Sequence, residues 1–232
     1  MAIEVYPVVH INEESQAVDQ ALSALDVQAD GVYLIDHKSI DARPICRVFN
    51  NLSRTAPNSF IGINILQILN SIEAFQLIHN MSESGELNRL PDGLWVDDAT
   101  DSAFATEVYR ARHKELKSVL YLGGIAFKYT KSYTDNPTVA AEIAKKYGPF
   151  MDVVTTTGGG TGRAATIEKV TAMKLAISPQ KLALASGVSI NNISAFANVA
   201  DQALVATSVE TYPGSGEFNL PKLVELITAA HD

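Results

Sequence analysis

Short apolar runs alternate with longer stretches of helical periodicity from one end of the chain to the other. The runs fall at 5–11, 31–36, 60–65, 93–97, 118–123, 151–156, 181–186 and 202–207, and each predicts a strand. Between them, patterns with apolar residues three and four apart predict helices over 14–28, 40–54, 71–84, 101–116, 136–147, 165–177, 190–199 and 219–230. The last is well marked by Leu220, Leu223, Val224 and Ile227, and Pro137 and Pro221 stand where first-turn prolines belong. The strand runs are continuously apolar rather than alternating, as parallel strands covered on both faces require.

Eight such units in 232 residues, with no linker or low-complexity tract between them, predict a single-domain α/β fold, a closed (β/α)8 TIM barrel. A doubly wound open sheet is the alternative. A repeat favours the barrel. Asp30-Gly31-Val32-Tyr33-Leu34-Ile35-Asp36 resembles Asp92-Gly93-Leu94-Trp95-Val96-Asp97-Asp98, with echoes at Asp152 and Asp201. These fall on strands two, four, six and eight, a period that suits interior layers drawn from alternate strands.

Composition narrows the function classes. The net charge of −8 and the absence of a basic stripe argue against a nucleic-acid partner. The basic groupings at Arg110–Lys114 and Lys145-Lys146 lie on predicted helices and read as solvated faces. Cys46 is the single cysteine, on an apolar helical stripe, and reads as a buried structural thiol. No apolar run reaches the length of a membrane helix and the first residues lack a signal-peptide pattern, so the expected location is the cytoplasm, without membrane insertion. A homo-oligomer is compatible with such a barrel, although no interface signature stands out.

Active sites of these barrels lie where strands end. Those ends carry His10 and Asn12; Asp36, His37 and Lys38; Asn64; Asp97 and Asp98; Lys128; and a glycine loop with Gly158, Gly159, Gly160, Gly162 and Arg163. Gly187 and Ser189 follow strand seven, and Thr207 and Ser208 end strand eight. The glycine loop lacks the Lys-Ser/Thr of a P-loop and the third glycine of a dinucleotide fingerprint. Its glycines still let backbone N–H groups approach an anion, and Arg163 could clamp one. The loops after strands seven and eight, with a short extra helix, are the recurring phosphate site of such barrels, so Gly187, Ser189, Thr207 and Ser208 are candidate phosphate ligands. Lys128, Asp36, His10 and Asp97 are candidate catalytic groups: carboxylates as base, His10 or His37 as acid, Lys128 as a Schiff-base amine or an anion holder. Asp97 and Asp98 would also suit Mg2+, whereas no HxH, HExxH or multi-cysteine pattern marks a zinc site.

Seven segments, "PVVHIN", "ADGVYLIDHKS", "IGINIL", "GGIAFKYT", "MDVVTTTGGGTGR", "LASGVSINNIS" and "ALVATSVE", together resemble the BtpA/SgcQ family of (β/α)8 barrels. The resemblance implies a phosphate-type site at Gly158, Gly159, Gly160, Gly162, Gly187, Thr207 and Ser208, with His10, Asn64 and Lys128 as the matching polar positions. The chain departs from that pattern at Asp36-His37 and at Asn12-Glu13-Glu14. The combined expectation is an enzyme acting on a small phosphorylated metabolite (a sugar phosphate or nucleotide-like compound) by isomerase or lyase chemistry. The alternative is a non-catalytic BtpA-like binding or assembly factor that keeps the barrel and its anion pocket.

Overall fold

Parallel strands that alternate with helices bury both faces either between two helical layers or by closing into a barrel with the helices outside. The computed structural model, which describes residues 2–37, 42–68 and 70–232, has the second form. Strands β1 (Glu4–His10), β2 (Val32–Asp36), β3 (Ile61–Ile65), β4 (Gly93–Val96), β5 (Leu120–Gly124), β6 (Val153–Thr156), β7 (Lys181–Leu184) and β8 (Gln202–Val205) close into one parallel barrel in chain order. Helices α1 (Glu14–Asp26), α2 (Arg43–Thr55), α3 (Ser71–Glu83), α4 (Ala103–Arg112), α5 (Pro137–Tyr147), α6 (Ile167–Ile177), α7 (Ile193–Phe196) and α8 (Leu220–His231) follow the strands in turn. The open-sheet alternative is excluded by the β1–β8 pairing, which runs from Glu4 opposite Gln202 to Pro7 opposite Val205. No helix among the described residues is long and apolar enough to cross a membrane.

The helix starts follow their local chemistry. Asn70, Asn136, Thr166 and Asn219 each accept a hydrogen bond from a first-turn N–H, and Pro137 and Pro221 occupy first-turn positions. Two helices are shorter than expected. The pattern at 101–116 breaks at His113, whose backbone leaves the helical region, and a 3-10 turn over Lys114–Ser118 completes it. The pattern at 190–199 yields only the four residues of α7, because Asn191 and Asn192 favour turns over helix interior.

Strand periodicity sorts the core into two regions. Tyr6, Val8, Tyr33, Ile35, Trp95, Leu122, Val153, Ala183 and Leu204 pack inside the barrel. Their strand neighbours pack outward against the helices. Tyr33 is fully buried, and room for its ring comes from Gly62 of β3: a Cβ there would lie 2.2 Å from Tyr33 Cε1. Cys46 is buried among these outer contacts, 3.6 Å from Met81 Sδ.

The aspartate repeat has a physical cause different from interior layering. One carboxylate oxygen each of Asp30, Asp92, Asp152 and Asp201 accepts the N–H of Val5, Ile61, Tyr121 and Leu182, at 2.7, 2.8, 2.8 and 2.7 Å. Each aspartate precedes an even strand and fastens the first turn of the odd strand before it. Each also meets a basic side chain: His231, Arg89, Arg110 and Lys174 respectively. Arg110 is therefore not on a solvated face, as its sequence neighbourhood suggests. It is 2% exposed and also donates to Val119 O at 2.8 Å.

Candidate functional site

The same two-residue period that fills the interior with Tyr33 and Ile35 carries His37 inward at the end of β2. Likewise Val8 leads to His10, Trp95 to Asp97 and Gly62 to Asn64. His10, His37 and Asp97 border a cavity of about 430 Å3, a size ordinary for a small-molecule site. His10, His37, Asp97, Lys128, Ser186 and Ser208 are among its polar side chains, and Leu66, Trp95 and Val188 form part of its apolar wall.

Asp36 departs from expectation. It has the opposite parity to Ile35 and His37 and is absent from the cavity wall, although it is buried at 4% exposure. Its charge reaches the site through His37, where it opposes the effect of burial. Lys38 lies outside the described residues. Asn12 is exposed beyond the cavity, with its amide close to Gly216. Asp98 turns its Oδ1 to the N–H and hydroxyl of Thr100 at 3.1 and 2.7 Å.

The electrostatics of the cavity are set by burial. His10 is pushed down to about 4, first by burial and then by the charges of His37 and Lys128. His37 is also lowered by burial, and the two rings stack with centroids 4.8 Å apart. Both imidazoles are neutral at pH 7. Burial raises Asp97 to about 6, against the opposing hydrogen bond from Asn64 Nδ2 (3.0 Å) and the charge of Lys128. Asn64 thus contributes by holding Asp97 rather than by lining the cavity. Burial lowers Lys128, and the charge of Asp97 opposes that shift.

Lys128 sits on an unusual piece of backbone. Ala126 and Tyr129 have φ of 48° and 63°, left-handed values rare outside glycine. Such strain persists only where neighbours hold it. Thr157 Oγ1 accepts the N–H of Lys128 at 2.7 Å, and Lys169 Nζ donates to Ala126 O and Thr157 O, both at 2.8 Å. Lys169 itself is fully buried. Sequence reasoning missed it, because a lysine within an amphipathic helix carries no mark of burial. Ser186 was missed as well: its Oγ lies 3.5 Å from Lys128 Nζ, accepts the N–H of Gly162 at 3.1 Å and donates to Gly160 O at 3.2 Å.

The glycine loop reaches the cavity only at its far end. Thr161 and Gly162 line it. Gly158 faces its own turn, where a Cβ would lie 2.4 Å from Ala164 O, and Gly159 packs against Tyr133. Gly160 stands beside Tyr129 and Arg163, and Arg163 is exposed. Tyr129 OH accepts the N–H of Thr161 at 3.2 Å, joining the β5 and β6 loops over one side of the mouth.

The loops after β7 and β8 form the opposite side. Gly187 has φ of 70°, and a Cβ there would lie 2.0 Å from Ala164 N, so only glycine fits. Gly187, Ser189, Thr207 and Ser208 all line the cavity. The N–H of Ser189 is taken by Asn192 Oδ1 at 2.8 Å, which removes it as a ligand donor. The N–H groups of Gly187, Val188, Thr207 and Ser208 have no partner among the described residues. Two buried side-chain atoms on the wall, Ser208 Oγ and Trp95 Nε1, also lack one among those residues. The β8 connection forms a turn and the Glu210–Phe218 bridge rather than the short extra helix expected there.

No family model matches the chain, and no curated protein matches it in sequence. The likeness to the BtpA/SgcQ family therefore remains one of segments. Solved structures do share the fold. Phosphoribosyl anthranilate isomerase from Thermus thermophilus aligns at TM-score 0.65 and 15% identity, covering 98% of each chain. Tryptophan synthase from Mycobacterium tuberculosis aligns at 0.67 and 14%, covering 100% of this chain and 93% of that one. (S)-3-O-geranylgeranylglyceryl phosphate synthase from Thermoplasma acidophilum, solved with its substrate sn-glycerol-1-phosphate, aligns at 0.67 and 11%, covering 99% and 94%. At these identities the likeness is one of barrel architecture.

Proposed function

We propose that this protein is an enzyme acting on a small phosphorylated metabolite by proton transfer, as an isomerase or lyase. The observation that carries the reading is the polarity of one cavity. One side is lined by Gly187, Val188, Thr207 and Ser208, whose N–H groups, like the Ser208 hydroxyl, have no partner among the described residues. A phosphate ester supplies the acceptors that such donors lack. The other side holds Asp97 and Lys128, both shifted toward neutrality. That sn-glycerol-1-phosphate occupies a neighbour of the same fold agrees with the phosphate assignment.

In this mechanism the phosphate anchors the ligand and turns its reacting carbon toward Asp97. Above about pH 6 the carboxylate accepts a proton from that carbon. Lys128 stabilises the negative charge that develops on the adjacent oxygen and returns a proton to it. His10 and His37, neutral at this pH, donate hydrogen bonds rather than act as strong acids. The tendency of buried lysines to form Schiff bases gives a lyase variant with Lys128 as nucleophile, which borohydride trapping with a phosphorylated ketose would detect. The non-catalytic BtpA-like alternative needs only the anion side and leaves the shifted Asp97 and Lys128 without a task.

Thermal unfolding with inorganic phosphate, glycerol phosphate and pentose phosphates tests the binding. A ligand at 100 times its dissociation constant adds about 2.7 kcal/mol, a rise of roughly 5–10 °C for a chain of this size. The rise should vanish in Ser208→Glu, checked for fold by circular dichroism. It should persist in Asp97→Asn, while turnover of the bound compound is lost. No rise with any phosphate, or an equal rise in Ser208→Glu, overturns the reading.

A further inference from the structure

Two of the chain's five histidines meet away from the cavity, on the helical layer near the entry to β5. His79 projects from α3, His113 follows α4, and Glu115 lies in the 3-10 turn over Lys114–Ser118. His79 Nε2 is 2.9 Å from Glu115 Oε1, and His113 Nδ1 is 3.8 Å from the same oxygen. One donor atom from each residue lies within 4.8 Å of both others. The geometry points to a binding site for a divalent transition ion of the zinc type, with His79, His113 and Glu115 as its three protein ligands and water in the fourth place.

The donor chemistry selects the ion. Two imidazole nitrogens with one carboxylate oxygen suit zinc and its neighbours and disfavour magnesium and calcium. A tetrahedral ion with ligands at about 2.0–2.1 Å sets them about 3.4 Å apart. The two separations to Glu115 Oε1 bracket that value. Closing the remaining gap falls to Glu115, half exposed, and to His113 at a helix end. The three residues are also differently placed: His79 is anchored at 14% side-chain exposure, and the other two close over it from solvent.

An independent contact supports the assignment. His79 Nδ1 lies 2.8 Å from Tyr109 OH on α4. With an ion at Nε2, Nδ1–H donates to that phenol oxygen, the outer contact that orients metal-binding imidazoles. Without an ion the tautomer reverses: Nε2–H donates to Glu115 and Tyr109 donates to Nδ1. The cluster thus has a satisfied state either way, and the ion adds a tie between α3 and the α4–β5 connection. Its ligands come from positions 79, 113 and 115, too far apart for any compact zinc motif to reveal them.

Equilibrium dialysis of the full chain against micromolar Zn2+, with bound metal read by atomic emission, tests the proposal. One ion per chain is expected for the native protein, and none for the His79→Ala/His113→Ala double variant. Co2+ should bind with the intense visible absorption of tetrahedral coordination, and Mg2+ should not bind. Tyr109→Phe should weaken zinc binding about 10-fold or more. No zinc in the native protein, or as much zinc in the double variant, overturns the proposal. If the double variant fails to fold, the single His113→Asn change at a part-exposed position decides: unchanged zinc affinity overturns the proposal, and at least tenfold weaker binding supports it.

Discussion

Replacing Asp97 by asparagine is expected to stabilise the protein at pH 8 and to leave it nearly unchanged at pH 4. The carboxyl titrates at about 6 in the fold, against 3.8 for the free group, with burial as the main cause. The folded chain therefore holds this proton more tightly than the unfolded chain does. Below pH 4 both states carry it and burial costs nothing extra. Between pH 4 and 6 the unfolded chain ionises first, and stability falls. Above pH 6 both are ionised and the whole difference is lost. The interval from 3.8 to about 6, at 1.36 kcal/mol per pH unit, sets a ceiling of about 3 kcal/mol. The group opens onto the cavity, where solvent screens it, so about 1–2 kcal/mol is expected. Asparagine keeps the size of the side chain and an oxygen to accept the Asn64 amide. Urea unfolding of both chains at pH 4 and pH 8 gives the four free energies, and every other titrating group cancels to first order in their double difference. An advantage of the variant that grows by about 1 kcal/mol or more on going to pH 8 supports the argument. Equal differences at both pH values, or a growing disadvantage, would refute it.

Three further outcomes follow from the geometry. Lys169→Met should cost about 2–4 kcal/mol, because Ala126 O and Thr157 O lose their buried donor. Hydrogen exchange should then quicken first at 126–130 and 157–162, and unchanged exchange there would show that Lys169 does not hold these loops. Asp152→Ala should cost about 2–3 kcal/mol, since it leaves the buried Arg110 with only the longer Glu107 contact at 3.4 Å and Val119 O, whereas Asp30→Ala, facing the half-exposed His231, should cost about 1 kcal/mol. The reverse order in denaturant midpoints would contradict the clamp reading. Gly187→Ala meets both a left-handed φ and a Cβ 2.0 Å from Ala164 N, so a loss above about 2 kcal/mol is expected, together with loss of any phosphate-dependent rise in melting temperature. A melting temperature equal to that of the native protein would mean the loop yields freely.

The barrel was legible because its two periods are strong: continuous apolar strands separated by amphipathic helices leave few ways to bury both. The strand-end positions of His10, Asn64, Asp97 and Lys128 followed from that frame. The same frame bears on Asp36. Parity counted from Tyr33 and Ile35 turns His37 inward and Asp36 outward. Other features were not legible, because they depend on which segments meet in space. Nothing local marks Lys169 as the donor to two loop carbonyls, or shows that Gly158 folds back on its own turn. The aspartate repeat was visible, but its cause was not: a backbone N–H one strand away carries no sequence mark.

The two rims of the barrel are built to opposite ends. Where the strands begin, four aspartates saturate backbone donors and pair with basic side chains, and every such contact favours the fold. Where the strands end, the contacts oppose it. A carboxyl is held away from its normal titration range, two non-glycine residues stand at left-handed φ around Lys128, and Ser208 Oγ and Trp95 Nε1 are buried without partners among the described residues. Selection for stability alone would remove such features, since Asp97→Asn is a single change. Their convergence on one cavity is what a binding site requires: donors unsatisfied until a ligand arrives, and a lysine on a strained loop held in place by the rest of the barrel.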